Sequence, residues 1–324
     1  MSALVYWLRR NAIGLIILAA QWPLGALLSR SLNPYYLQIV VYIGINIILA
    51  VSLNLINGIA GQFSLGHAGF MAVGAYVSAA ATMLVWPHAP AALGLPVVLL
   101  VGGLAAALAG LLIGIPTLRL RGDYLAIATL GFGEIIRVVI LNTEAVGGAR
   151  GLFGIPTLAS FASVYACALL CVGLLWRLVH SAHGKALLAI REDEIAAAAM
   201  GIDTTRYKII AFVVGAFWAG VAGGLFAHFI GYIHTNSFTF LKSIEIVVMV
   251  VLGGTGSISG AVLAAAALTV LPELLRFGAE YRMIIYSLLL IIMMLTRPAG
   301  LLGRSEITPW RFWKSRTAHS ASAG

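Results

Sequence analysis

Along the chain, apolar runs of about 20 residues alternate with short polar or glycine-rich stretches. A helix of that length spans a hydrocarbon core about 30 Å thick and satisfies its own backbone there. Ten candidate spans follow: 12–29, 37–57, 64–85, 92–115, 124–141, 158–179, 208–232, 241–254, 258–275 and 282–298. The pattern predicts an all-α, polytopic transmembrane helical bundle of about ten spans. Two runs are irregular. The fifth carries Glu134 and Arg137, and the eighth is short and ends at Gly253-Gly254-Thr255-Gly256, as a re-entrant or broken segment would.

One polar stretch interrupts the second half of the chain. Residues 184–201 are alanine-rich and contain Glu192-Asp193-Glu194, the sole acidic run among eleven Asp and Glu residues. Gly201 suits a helix C-cap, and Asp203 or Thr204 suits the N-cap of the next span. A polar helix kept between membrane spans is expected to dock a soluble partner.

Composition agrees with the class: 61% of residues are hydrophobic, 10% charged, and the mean hydropathy is +1.01. Globular proteins carry roughly a quarter of their residues as charged side chains. The net charge of +9 does not imply nucleic acid, because the basic residues collect at the ends of apolar runs. With a cytoplasmic N-terminus, fourteen basic residues fall inside and five outside. That places both termini and the 184–201 stretch on the cytoplasmic side, between the sixth and seventh spans. Arg9-Arg10 and the long run behind them read as a retained first span rather than a removed signal. Residues 1–303 form the transmembrane unit, with 180–207 as its cytoplasmic connecting segment. Residues 304–324 form a basic, aromatic tail whose Trp310 to Lys314 suit an anchor at membrane lipid.

Candidate chemistry is sparse. Gly61 to Phe70, with Gln62, Ser64 and His67, sits between the second and third spans, either lining a path or serving as a packing hinge. A second break, containing Gly253, Gly254 and Thr255, stands at a comparable place in the other half. The two breaks suggest inverted repeats, spans two to five against seven to ten. Glu134 with Arg137, and Glu245 with Lys242, are each spaced i, i+3 and read as functional intramembrane charges or as structural pairs. His228 and His234 lack metal-ligand spacing, and Cys167 and Cys171 read as small buried hydrophobes. No P-loop occurs, so ATP hydrolysis is not expected on this chain, and no nucleophile–base motif of an enzyme is present.

Several blocks resemble one family. Gly61-Gln62-Phe63-Ser64-Leu65-Gly66-His67-Ala68 is similar to the signature of the LivM-type permeases of branched-chain amino acid ABC importers. The block Arg121 to Leu130 with Gly133-Glu134-Ile135-Ile136-Arg137, the loop Gly147 to Leu152 and Arg297 to Gly303 resemble further family blocks. Arg191, Glu192, Glu194, Ala196, Ala197 and Gly201 match the family's cytoplasmic coupling segment. Arg150 and Leu302 depart from it, standing where Asn and Phe are common. The resemblance implies a bacterial inner-membrane permease. Its partners would be a LivH-like second permease, two LivG/LivF-like ATPase subunits that carry ATP and magnesium, and a periplasmic binding protein. It assigns Arg191, Glu192, Asp193, Glu194, Ala197 and Gly201 to ATPase coupling. Related permeases take urea, amides or aromatic acids, and an ion-coupled secondary transporter using Glu134, Arg137 and Glu245 is the rival reading.

Overall fold

The computed structural model describes residues 33–85, 91–118, 120, 122–274, 288, 291, 296, 300–303 and 306. The expected first span, most of the last and the basic tail apart from Glu306 lie outside them. The helices are α1 (Pro34–Asn54), α2 (His67–Val85), α3 (Ala91–Thr117), α4 (Asp123–Leu141), α5 (Phe161–Val179), α6 (Ala182–Glu192), α7 (Glu194–Ala199), α8 (Thr204–Ile230), α9 (Phe240–Gly253) and α10 (Ile258–Leu274). A π-helical turn, Leu55–Ile59, extends α1. Two-residue strands β1 (Leu152–Phe153) and β2 (Tyr232–Ile233) pair antiparallel, Leu152 opposite Ile233. Among the described residues seven helices are long and apolar enough to cross a membrane, and Ile258–Leu274 is a shorter apolar helix. The chain is an all-α, multi-pass membrane protein.

Local chemistry fixes the ends. Asn33 accepts the amide of Tyr35 ahead of Pro34, Ser160 and Ser163 form a reciprocal capping box, and Gly231 closes α8 in the left-handed conformation. Lipid tails are as apolar as leucine, so packing between helices must come from close approach. Helices α2, α3 and α8 achieve it with glycine: a Cβ on Gly74 would fall on the Gly220 backbone, and one on Gly102 would stand 2.7 Å from the Gly74 carbonyl. The outer helices are different. The spanning window of α8 is 67% buried, against 17% for α4 and 22% for α5.

Two helices start part-way through the bundle. After the π turn the chain reverses at Gly61 (φ +68°), returns extended through Gly66 and enters α2 at His67. His67 shares a 2.9 Å hydrogen bond with Ser52. That pairing sets the start of α2 about 10 Å back along α1 from Ile59, at 1.5 Å per residue. Similarly, after α8 the chain turns back through β2 and the 3₁₀ turn Thr235–Phe238 before α9 begins. Phe238 packs against Phe226 and Tyr76, with ring centroids 5.9 and 6.1 Å apart. The two starts meet, for the Ala68 amide donates to Ser243 Oγ at 3.1 Å. Segment 231–239 thus leads from α8 into α9 at the place where α2 starts. The glycines at 253–256, which the sequence offers as the counterpart of the Gly61 break, end α9 beside the end of α1. Segment 231–239 is held by strand pairing and aromatic packing.

A candidate coupling and translocation site

The two glycine breaks converge on a residue that sequence pattern does not single out. Asn54 is fully buried in the last turn of α1. Its Oδ1 accepts the Gly256 amide at 2.9 Å and its Nδ2 donates to the Ser257 carbonyl at 3.0 Å. A Cβ on Gly58 would fall on Asn54 Oδ1 and the Gly256 nitrogen, so this closeness requires glycine there. Gly254 and Gly256 take φ of +110° and +93°. The C-terminal segment completes the junction. Leu301 donates its amide to the Leu252 carbonyl at 2.7 Å, and the Glu306 carboxylate accepts the amides of Ile258 and Ser259, capping α10. Thr255 is exposed, while Gly253 and Gly254 are buried.

The returning segment alternates as an extended chain must. Gln62, Ser64 and Gly66 are buried, whereas Gly61 and Phe63 are exposed and Leu65 half-buried. Asn57 clamps the segment by accepting the Ser64 amide at 3.1 Å and donating to the Ser64 carbonyl at 3.3 Å. Thr129 on α4 accepts the Leu65 amide at 3.0 Å. The Gln62 amide group, Ser64 Oγ and His67 Nδ1 are buried without hydrogen-bond partners. The three polar candidates thus share the inner side of the break, and Phe63 and Leu65 present its open side.

The connecting segment is two helices, split at Asp193. That residue caps α7 by accepting the amides of Ile195 and Ala196 at 2.8 and 3.0 Å. Glu194 pairs with Lys208 at 2.7 Å and Glu192 with Arg191 at 2.7 Å. Ala197 is buried against the bundle. Gly201 ends the pair at φ +84°, and Asp203 caps α8. The acidic run therefore serves much of its own fold. Beside the exposed Glu192 and Asp193, the segment projects two large apolar side chains: Ile195 is 74% and Met200 83% exposed. Sequence reasoning passed over both because single apolar residues in an apolar chain carry no signal.

Arg191 reaches the other way. Its Nη1 donates to the Gly58 carbonyl at 2.9 Å, which ties the connecting segment to the junction of the breaks.

Glu134 and Arg137 pair at 2.7 Å with 34% and 26% of their side chains exposed. Glu134 is joined by Leu65, Ala68, Phe238 and Ser243 around a narrow cleft where the two mid-bundle helix starts meet. Lys242 and Glu245 pair at 3.1 Å and line a separate cavity of about 320 Å³ with Asn46, Tyr42, Phe226 and Thr269. The site residues therefore fall into a junction of breaks, a cleft at α4 and this cavity, not one cluster. His228 is satisfied by Thr82 and the Gly224 carbonyl, and His234 by the Ala149 carbonyl and the Asn236 amide. Among the described residues no three His, Cys, Asp or Glu side chains gather as a metal site would require.

Residues 35–294 match the family described as the permease component of branched-chain amino acid transport systems. The chain is 39% identical, over 90% of its length and 74% of the relative's, to the high-affinity branched-chain amino acid transport system permease protein LivM of Salmonella typhimurium. The LivM protein of Escherichia coli matches with the same identity and coverage. A shorter similarity, 37% over 40% of this chain and 42% of the relative, joins it to the LivH permease protein of Salmonella typhimurium. No solved structure matches. With its buried glycine seams, broken helices and polytopic bundle, the chain belongs to the family of branched-chain amino acid transport permease components, and within it is of LivM type.

Proposed function

We propose that this chain forms half of the translocation path of an ABC importer for branched-chain amino acids in a bacterial inner membrane. The Glu134–Arg137 pair carries the reading. Glu134 lies about 16 Å along α4, near mid-membrane, on a face that the described residues leave partly open. Charged side chains at that depth face a protein partner or a watered path rather than lipid. The open face of α4 is accordingly covered by a LivH-like second permease subunit. The path runs between the two, past Phe63, Leu65 and the cleft at Glu134. Gln62, Ser64, His67, Gly253, Gly254 and Thr255 shape the walls from behind. Two inverted repeats, beginning at α1 and α8, place α2 and α9 head to head beside that path within a ten-span bundle with cytoplasmic termini.

ATP and magnesium belong to separate ATPase subunits, which grip Ile195 and Met200 beside the acidic run 192–194. A periplasmic binding protein delivers the solute. Apolar walls with few polar groups suit an aliphatic side chain. The test is reconstitution in liposomes with and without the second permease, the ATPases and the binding protein. ATP-dependent leucine uptake by the full set alone, outcompeted by valine and isoleucine but not by urea, an amide or an aromatic acid, is the expected result. Uptake by this chain alone, abolished by an uncoupler, overturns it in favour of an ion-coupled transporter.

A further inference from the structure

We propose that Arg191 is the positioning residue that carries motion of the connecting segment into the two helix breaks. The proposal rests on the function just described and deepens it. Two helices, α1 with its π turn and α9, end within reach of Asn54, so their carbonyl-rich, partially negative ends face one junction. Among the described residues, the Arg191 guanidinium is a cation placed there. Nη1 bonds the Gly58 carbonyl at 2.9 Å, while Nη2 is steadied by Glu192 at 2.7 Å.

The fit around the side chain is made by missing Cβ atoms. A Cβ on Gly61 would lie 2.8 Å from Arg191 Cγ and 3.3 Å from its Cα, and one on Gly256 would lie 2.8 Å from Nη1. One side chain from the connecting segment therefore seats against a glycine from each break. Nε is buried without a partner, so the guanidinium has a donor to spare for a second arrangement. A few residues further along the same segment, Ile195 and Met200 are exposed. A push at those knobs has a short, hydrogen-bonded route to the ends of α1 and α9, whose starts and lengths frame the path. A lysine there keeps the charge but loses the planar fork that spans Gly58 and Glu192.

The experiment compares the full transporter complex carrying the parent chain, Arg191→Lys, Arg191→Gln or Arg191→Ala. Co-purification of the ATPases, ATP hydrolysis and leucine uptake are measured in the same liposomes. The expected result is intact assembly and continued hydrolysis, with solute moved per ATP falling by about 5- to 150-fold, the range of a typical coupling between two sites. Arg191→Lys should fall least. If the alanine variant does not fold, the lysine and glutamine variants carry the ratio. An unchanged ratio, with uptake and hydrolysis reduced together or not at all, overturns the proposal, as does loss of ATPase co-purification. A parent complex that imports without ATP would refute the importer reading itself, and so is separable from failure of Arg191.

Discussion

Replacing Asn54 by alanine tests whether one side chain holds the two breaks together. The substitution removes an acceptor for the Gly256 amide at 2.9 Å and a donor to the Ser257 carbonyl at 3.0 Å, in a fully buried place. Side-chain bonds between membrane helices average about 0.6 kcal/mol, because an unfolded chain in lipid also finds partners. Two such bonds give a floor of about 1 kcal/mol. The Ser257 carbonyl still accepts the Ala261 amide at 3.1 Å in the variant, so the group left stranded is the Gly256 amide, in a turn with glycine-only geometry. Stranding a backbone group away from water costs about 1–3 kcal/mol, so the expected loss lies at about 1–3 kcal/mol. Reversible unfolding in mixed micelles, titrated with a denaturing detergent, reads that loss. Hydrogen exchange at the Gly256 amide should accelerate in the variant, and leucine uptake should drop. A variant within about 0.5 kcal/mol of the parent, with a protected Gly256 amide, would refute the role given to Asn54.

Gly74→Ala should lower the unfolding midpoint by the cost of overpacking, about 1–3 kcal/mol, because its methyl group meets the Gly220 backbone. Gly131→Ala, with nothing within 4 Å of its Cβ, should match or exceed the parent in the same titration. Ile195→Asp with Met200→Asp should abolish ATPase co-purification while leaving the stability of the chain within about 0.5 kcal/mol, since both side chains are exposed. Retained co-purification would move the docking surface elsewhere.

The spans were legible because their signal is local. Apolar length alone predicts 37–57, 64–85 and 208–232, and helices occupy all three places. The Gly61 break was legible for the same reason, being written in consecutive glycines and polar residues. The turn at 231–239 was not, because strand pairing with Leu152–Phe153 and stacking of Phe238 depend on residues far away in the chain. Asn54 looks like any asparagine near a helix end until Gly256 is brought beside it. The acidic run drew attention by its composition, yet Asp193 and Glu194 serve a cap and an ion pair with Lys208. Composition reports that charges are present, and only packing reports which way they point.

The reach of Asn54 to Gly256 and Ser257 sets a timetable for biogenesis. Its partners lie 202 and 203 residues further along, and Leu301 and Glu306 finish the same junction later still. At about 5–20 residues per second, synthesis leaves the first break waiting roughly 10–40 s for the strand of chain that completes it. Through that interval α1 and α2 sit in the bilayer with a donor and an acceptor unmatched, held in the meantime by Asn57 and Thr129. A ribosome that stalls before residue 254 would release a chain with spans in place and no closed junction. Such a product is a natural substrate for membrane quality control, and closure of the junction by Gly256, Ser257, Leu301 and Glu306 is what distinguishes it from the folded chain.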